Sequence, residues 1–242
     1  MPTYKLLGVG TNAKTIKGDG SEYLTAILYM TPYKVMVDGK HFNSCSMAEQ
    51  ASCIEGCLYT AGRGKFSNVQ TARQRKAEWF YRDRVGFMKQ LYHDIQKFSN
   101  YCKKRGIQPC VRLNGTTDIR WELISAMPHN KMNIFQEFPE VQFYDYTKIP
   151  NRKVADYPNY HLTWSYSSAN PKYEELFWDV IRKGMSVAVV FRKPINMTTW
   201  RGYKVVDGDK DDLRFLAPQS SIVALYAKGA AKHDSTGFVQ DI

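Results

Sequence analysis

The sequence predicts an α/β fold: a partial or complete (β/α) barrel with mainly parallel strands, built as a single domain. Predicted strands and helices alternate along most of the 242 residues, which is the order that helix-covered parallel sheets produce. The stretch MSVAVVFR, from Met185, is almost continuously apolar, as expected of a strand covered on both faces. Polar residues follow several strands at their carboxyl ends, where barrels and open sheets both place functional groups. An open sheet is the alternative architecture.

The first half of the chain contains the predicted cysteine-bearing loop. Residues 1–21 read as an N-terminal loop or edge segment, and residues 22–37 as one or two strands broken near Pro32. The cysteine-bearing loop spans residues 38–66. Residues 69–106 then carry apolar side chains at helical spacing, which predicts two helices broken near Gly86.

The second half alternates between strands and helices. The stretches PCVRL, VQFYDYTK, YHLTWSYS, MSVAVVFR, YKVV and SSIVALY are predicted strands. MNIFQEFP is predicted to be a short helix or turn. PKYEELFWDVIRKG is an amphipathic helix with Pro171 in its first turn and Gly184 at its end. These elements extend the single predicted domain over residues 1–242.

Charge and composition favour a soluble protein with an anionic partner. The net charge is +11, from 34 Lys and Arg against 23 Asp and Glu. Such an excess favours an anionic partner, which could be a nucleotide or nucleic acid, another anionic cofactor or an acidic protein. Simple solubility is the alternative explanation of the charge. No stretch reaches the roughly 18 apolar residues of a membrane span, and the N-terminus lacks the pattern of a signal peptide. The expected location is therefore the cytoplasm, with no membrane partner.

Three of the five cysteines lie in the predicted loop, in a C-x7-C-x3-C pattern formed by Cys45, Cys53 and Cys57. Thiolates bind zinc and iron–sulfur clusters because sulfur is soft and polarisable. Three such ligands leave one coordination position for His41, water, a substrate or a cofactor. The alternatives are a redox pair or inert packing thiols, and packing is the interpretation for Cys102 and Cys110.

Basic residues near this loop are candidates for binding an anionic substrate. The turn GRGKF presents Arg63 beside glycines, and the helix that follows interleaves Arg73 with aromatic residues. Lys148 closes the strand FYDYTK. A helix cap and an ordinary amphipathic helix are the alternative interpretations of the first two stretches.

The order of strand, three-cysteine loop, helix and parallel strands resembles the radical S-adenosylmethionine enzymes. The resemblance implies a 4Fe–4S cluster on Cys45, Cys53 and Cys57, and S-adenosylmethionine as a further cofactor. VRLNGTTD occupies the place of that family's glycine-rich acidic motif and offers Asn114 and Asp118 to the cofactor. HLTWSYS offers Thr163 and Ser165. The family's usual spacing is C-x3-C-x2-C, from which this loop departs.

A second resemblance covers nearly the whole chain and is to the gene-product-88 family of bacteriophage proteins. It rests on CLYTAGRGKF, VRLNGTTDIRWE, FYDYTK, YHLTWS and the closing LYAKG, in that order. It implies a phage origin, and hence the host cytoplasm as the location.

Together these features predict a metal-binding or iron–sulfur protein that resembles a radical S-adenosylmethionine enzyme and acts on a nucleotide or nucleic acid. The alternatives are a non-enzymatic, basic nucleic-acid-binding protein with a structural zinc site, and a zinc-dependent enzyme that acts on nucleobases with water at the open position.

Overall fold

A computed structural model of the chain describes residues 3–10, 22–194 and 196–241. Within these residues the strands are β1 (Leu7–Val9), β2 (Tyr23–Leu28), β3 (Lys34–Val37), β4 (Lys40–Asn43), β5 (Gln108–Arg112), β6 (Gln142–Thr147), β7 (Tyr160–Ser165), β8 (Val187–Phe191), β9 (Thr199–Trp200), β10 (Tyr203–Asp207), β11 (Ile222–Tyr226) and β12 (Val239–Gln240). The α-helices are α1 (Ser67–Arg82), α2 (Arg84–Lys103), α3 (Ile134–Glu137) and α4 (Pro171–Arg182). Of the predicted N-terminal segment, residues 1, 2 and 11–21 lie outside the described chain, and β1 is an edge strand.

One mixed sheet organises the described chain. Its strand order is β1-β2-β5-β6-β7-β8-β11-β10-β9, and β12 pairs with β8. All pairings from β2 to β10 along this order are parallel, whereas β1 and β9 are antiparallel to their neighbours. The prediction of a single α/β domain with mainly parallel strands is confirmed.

The described strands form an open sheet, so the prediction of a complete barrel is wrong for this part of the chain. To close a barrel, the two terminal strands of this order, β1 and β9, would have to pair with each other. Among the described strands β1 pairs with β2 and β9 pairs with β10, and the two ends do not pair. A short antiparallel strand therefore ends the parallel order on each side.

Helices α1 and α2 cover one face of the sheet. Phe80, Phe87 and Phe98 are fully buried in a core that includes strand residues Val111 and Phe143. The predicted break between the two helices occurs, but it lies earlier than Gly86. Asp83 adopts a non-helical backbone and its carboxylate accepts a 2.8 Å hydrogen bond from the Gly86 amide. Asp83 is thus the N-cap of α2, and a cap residue ends one helix where the next begins.

Helix α4 covers the same sheet further along and has the predicted ends. Asn170 caps it by accepting a 3.0 Å hydrogen bond from the Lys172 amide, and Pro171 occupies the first turn. Gly184 follows the helix with φ of 92°, a conformation that glycine adopts without strain. Phe177 packs with Trp164 in a second core cluster.

The opposite face of β5, β6 and β7, called here the inner face, carries polar and aromatic side chains. Tyr144 and His161 lie side by side in the β6–β7 register. The segment between β10 and β11 covers this face, where Leu213 packs with Cys110 and Tyr144. Most of the helical core is thus on one side of the sheet, and a polar layer is on the other.

Strand β8 extends beyond the carboxyl end of β7. The two strands pair only through Trp164 with Val187 and Ser165 with Ala188. Beyond that point β12 takes the place of β7 and pairs with β8 through residues 239 and 240. The C-terminal segment therefore enters the carboxyl edge of the sheet, where the cysteine-bearing loop also lies.

Candidate functional site

The cysteine-bearing loop begins with a tight hairpin. Strands β3 and β4 are antiparallel and join at Asp38 and Gly39, which both have positive φ, as two-residue hairpins require. Ser44 follows as a buried anchor whose hydroxyl donates to the Thr31 carbonyl at 3.1 Å. The hairpin delivers Cys45 to the edge of the sheet.

The chain between Cys45 and Cys57 is a series of turns held by backbone hydrogen bonds. Ala48 donates to the Cys45 carbonyl, and Cys53 donates to the Ala48 carbonyl at 3.2 Å. Cys57 caps the short 3₁₀ turn Leu58–Thr60, since its sulfur accepts from the Tyr59 amide at 3.5 Å. The compact turns bring the widely spaced thiols back to one region.

All three cysteine side chains are partly buried. The Cys45 thiol lies 3.9 Å from the Thr116 carbonyl oxygen, in the loop that follows β5. The Cys53 thiol lies 3.8 Å from the Ala48 carbonyl oxygen. The loop thus docks against the carboxyl edge of the sheet, as its predicted position required.

Lys148 is the common neighbour of the three thiols. It follows β6, and its amine donates to the hydroxyl and carbonyl oxygens of Ser165 at 2.9 and 3.1 Å. Burial lowers the pKa of Lys148, and the three thiols together with the Asp118 carboxylate act electrostatically on it in the opposite direction. The cysteines therefore surround one amine, although they come from three different turns.

Arg73 is a second cation beside the thiols. It is only 9% exposed, and its Nε and Nη1 atoms have no hydrogen-bond partner. The guanidinium lies 4.8 Å from the Tyr29 ring centroid and 5.4 Å from that of Tyr59. Burial lowers its pKa, whereas nearby Cys57 raises it. Arg73 is thus a buried cation held between two rings and facing the loop.

Gly64 permits this close approach. A Cβ atom at Gly64 would lie 2.7 Å from the Tyr59 carbonyl oxygen and 3.1 Å from Arg73 Nη1. The first distance is shorter than a carbon–oxygen contact allows. The glycine-rich turn is therefore a packing requirement for the position of Arg73.

Burial keeps the thiols protonated at neutral pH. It raises the pKa of Cys45 to about 12 and also raises the pKa values of Cys53 and Cys57. As they stand, the described residues include no group of three or more His, Cys, Asp or Glu side chains that could hold a metal ion. The donors are soft, but their present arrangement is not a ligand set.

Asn114 and Asp118, two of the predicted cofactor residues, are engaged in holding the loop after β5. The Asn114 side-chain oxygen accepts from the Ile119 amide at 2.9 Å and from the Trp121 indole at 3.1 Å. The Asp118 carboxylate accepts from the Thr147 hydroxyl and from the Lys148 amide, each at 2.8 Å. Both side chains shape the site through the backbone they fix.

Thr163 and Ser165, the other two predicted cofactor residues, lie on the inner face of β7. The Ser165 hydroxyl is the acceptor for Lys148. Thr163 is fully buried, and its hydroxyl has no partner. Thr163 therefore remains free to bind, whereas Ser165 orients the amine.

The remaining predicted site residues are spread out. Arg63 is exposed on the 3₁₀ turn Gly62–Lys65, outside the buried region that contains Arg73 and Lys148. His41, considered as a fourth ligand, is exposed on β4. The structure thus brings two of the three predicted basic residues to the thiols and leaves the third at the surface.

Phe238 covers the site and was not predicted. Its ring centroid lies 4.6 Å from the Lys148 amine. It also packs with Cys53, and it approaches Gly56 so closely that a Cβ there would lie 2.9 Å from the ring. Its sequence context, TGFVQDI, carries no signal for this role, because contact depends on β12 entering the sheet beside β8.

Comparisons with known proteins identify a family but give no closer relative. The family model described as Gene product 88 matches residues 5–242. No curated protein and no solved structure matches the chain. Within the described part, no helix combines the length and apolarity needed to cross a membrane.

Proposed function

The chain belongs to the gene product 88 family, and we propose that it is an enzyme whose three loop cysteines hold a metal centre, most specifically a 4Fe–4S cluster. In this proposal Cys45, Cys53 and Cys57 are the ligands, and the fourth position binds a small cofactor such as S-adenosylmethionine. The substrate is a nucleotide or a nucleic acid.

The observation that carries the proposal is the position of two cations, the buried Arg73 and the half-buried Lys148, beside the thiols. The polar contacts of the Lys148 amine are to neutral oxygens of residues 165 and 166. Two guanidinium nitrogens of Arg73 have no partner. Asp118 acts electrostatically on Lys148 but already pairs with Arg152 at 3.5 Å. A buried cation without an anion costs several kcal/mol in typical proteins. Three metal-bound thiolates would supply the missing negative charge.

The chemistry of the donors fits such a centre, and their protonation is consistent with it. Metal binding deprotonates cysteine, so thiols with raised pKa values release protons when they ligate. Arg73 and Lys148 would favour the thiolate form of the neighbouring sulfurs. Since the thiols are not yet arranged as a ligand set, the turns between Cys45 and Cys57 must draw together around the metal.

In this proposal the cofactor and the substrate contact different residues. Thr163 and Ser165 offer hydroxyls to the cofactor from the inner face, while Asn114 and Asp118 fix the loop that borders it. Arg63 and Arg73, together with Lys148, favour an anionic substrate, which also agrees with the net charge of +11. A cluster bound in this way would supply electrons for reductive chemistry on the cofactor.

Metal analysis of protein purified without oxygen tests the proposal. We expect about four irons per chain with a broad brown absorption, and loss of both in Cys45→Ser, Cys53→Ser and Cys57→Ser. Cys110→Ala is the matched control. Cys110 lies on β5 and is buried beneath the segment between β10 and β11. This variant should keep the iron.

The other outcomes distinguish the alternatives. If the protein contains one zinc per chain and the three serine variants lose it, the metal centre is a zinc site and not a cluster. The function is then that of a zinc-dependent enzyme acting on nucleobases or of a nucleic-acid-binding protein with structural zinc. Protein without metal, in which Cys45→Ser has unchanged stability, would refute a metal centre of either kind.

A further inference from the structure

A group of unpartnered polar atoms lies on the inner face, away from the thiols. These atoms belong to five side chains, called here the inner-face cluster: Arg112 Nε, Tyr146 Oη, His161 Nε2, Thr163 Oγ1 and Arg214 Nε. Arg112, Thr163 and Arg214 are each more than nine-tenths buried. Unpartnered polar atoms are rare in protein interiors, so several in one place call for an explanation.

The five side chains are neighbours. Tyr146 and Thr163 are direct partners in the β6–β7 register. The Arg112 guanidinium lies 5.2 Å from the centroid of the Tyr146 ring. Arg214 acts electrostatically on both His161 and Tyr146. The cluster therefore spans β5, β6, β7 and the segment that covers them.

The cluster lies directly below the amine of Lys148. Lys148 follows Tyr146 by two residues, and Ser165 follows Thr163 by two residues, so each pair shares one face of the sheet. Two residues of strand advance about 7 Å. A molecule bound by the Tyr146 and Thr163 hydroxyls would thus extend towards the mouth where Lys148 meets Ser165.

The chemistry of the cluster selects for hydrogen-bond acceptors. Two guanidinium Nε–H groups can only donate, and the two hydroxyls can donate as well. The charges are already balanced, because Arg112 pairs with Asp212 and Arg214 pairs with Asp211 at 3.0 Å. A balanced site does not demand a charged ligand, so it favours a neutral molecule with several acceptor atoms over a phosphate.

Aromatic rings line the same face. The Tyr144 and Phe215 ring centroids lie 5.4 Å apart, and the Tyr23 and Phe215 centroids lie 5.5 Å apart. Rings next to directed donors are what a planar heterocycle needs, since stacking and edge hydrogen bonds act together on such molecules.

We propose that the inner-face cluster binds a nucleoside, with Arg112, Tyr146, Thr163 and Arg214 donating to its acceptor atoms. The inference extends the proposed function, on which it rests for the source of the nucleoside: either the adenosine part of the cofactor or a nucleoside substrate. The cluster atoms are sealed from solvent, so the covering segment, residues 208–217, opens to admit the ligand and closes again to bring Arg214 onto it.

Thermal unfolding with defined probes tests this site. The probes are adenosine, guanosine, cytidine, uridine and S-adenosylmethionine, each added to the full chain. A bound probe at about 100 times its dissociation constant should raise the melting temperature by roughly 5–10 °C. Stabilisation by adenosine and S-adenosylmethionine alone identifies the cofactor as the source, and stabilisation by another nucleoside identifies the substrate.

Variants that remove single hydroxyls locate the binding. Tyr146→Phe and Thr163→Val keep the side-chain volume and delete an atom without a partner, so the protein alone should be as stable as before or more stable. Both should lose the stabilisation by the probe. Tyr144→Phe is the matched control, since its hydroxyl is 3.0 Å from the Thr25 hydroxyl. It should lower the melting temperature of the protein alone and keep the response to the probe.

Two results would overturn the proposal. One is that no probe raises the melting temperature. The other is that the rise persists in both Tyr146→Phe and Thr163→Val. Metal content is measured separately from melting, so failure of the nucleoside site and failure of the metal centre are distinguishable.

Discussion

Replacing Arg73 by methionine tests whether the Arg73 cation supports the metal centre or only the packing of the fold. Arg73 is buried, and two of its nitrogens lack partners. Its favourable contacts are two ring faces, those of Tyr29 and Tyr59. Methionine has a similar length, packs well against rings and carries no charge.

The expected change in stability follows from these contacts. Each unpartnered buried nitrogen costs about 1–3 kcal/mol, hence about 4 kcal/mol for the two nitrogens of Arg73 at mid-range. Each cation–π contact at a partly desolvated ring contributes about 1 kcal/mol, hence about 2 kcal/mol for both rings. Arg73→Met should therefore stabilise the metal-free protein by about 2 kcal/mol, although it deletes both contacts between the charge and the rings. In a chain of this size that is a rise in melting temperature of roughly 4–8 °C.

The metal-bound protein should respond in the opposite direction. Without Arg73, the thiolates lose a neighbouring cation, and loss of such a supporting group typically weakens metal binding by about 10–100-fold. Urea unfolding after chelation and metal titration measure the two effects. Arg84→Met is the control: Arg84 also lies over a ring, that of Phe80 at 3.6 Å, but its Nε donates to the Phe80 carbonyl. If Arg73→Met destabilises the chelated protein and leaves metal affinity unchanged, Arg73 is a packing residue and the charge argument fails.

Three further perturbations test the site and its surroundings. Gly64→Ala should cost about 1–3 kcal/mol in urea unfolding, because its Cβ would lie 2.7 Å from the Tyr59 carbonyl oxygen; unchanged stability would contradict that packing. Burial and the Arg214 charge lower the pKa of His161 to about 4. The neutral ring therefore stabilises the fold above pH 6.5, and up to about 3 kcal/mol of the free energy of unfolding is lost as the pH falls from 6.5 to 4. His161→Gln should flatten this part of the pH–stability curve. An equally steep curve in the variant would refute the assignment to His161. Phe238→Ala should cost about 3 kcal/mol and speed alkylation of the loop thiols by iodoacetamide; unchanged alkylation would show that the ring does not cover them.

The sequence predicted the regular elements well where local chemistry decides them. Pro171 and Gly184 mark the two ends of α4 because proline suits the first helical turn and glycine the left-handed residue after the last. The break between α1 and α2 was placed near Gly86, but Asp83 determines it through its capping hydrogen bond. An aspartate inside a helical pattern can continue the helix or cap the start of a new one. The sequence does not decide between the two until the hydrogen-bond partner of its carboxylate is known.

Closure of the sheet could not be predicted from local patterns. The outer edges of β2 and β10 are occupied by β1 and β9, which are three and two residues long. Such short strands have too little periodicity to be recognised in a sequence. Their antiparallel pairing depends on where the chain returns in space, which is a property of the whole fold.

The position of the cysteine-bearing loop was predicted, whereas its role as a binding site stays a prediction. The loop meets the carboxyl edge of the sheet because β3 and β4 direct it there, as the order of elements indicated. Asn114 was predicted as a cofactor ligand from its position after β5, yet four hydrogen bonds with residues 117, 119 and 121 engage its side chain. A polar residue at a strand end is a candidate for binding and for loop support alike, and only the hydrogen-bond pattern separates them.

The distribution of unpartnered atoms connects the two proposed sites. In the described chain, nine buried side-chain atoms lack a partner, and seven of them belong either to Arg73 or to the inner-face cluster. Both groups border Lys148, the first through the thiols and the second along the strands. If these atoms were packing errors tolerated by a stable fold, they would be expected at scattered positions. Their concentration on either side of one amine is what we would expect of the two proposed sites, a metal-bound thiolate centre at the mouth and a neutral acceptor-rich molecule beneath it.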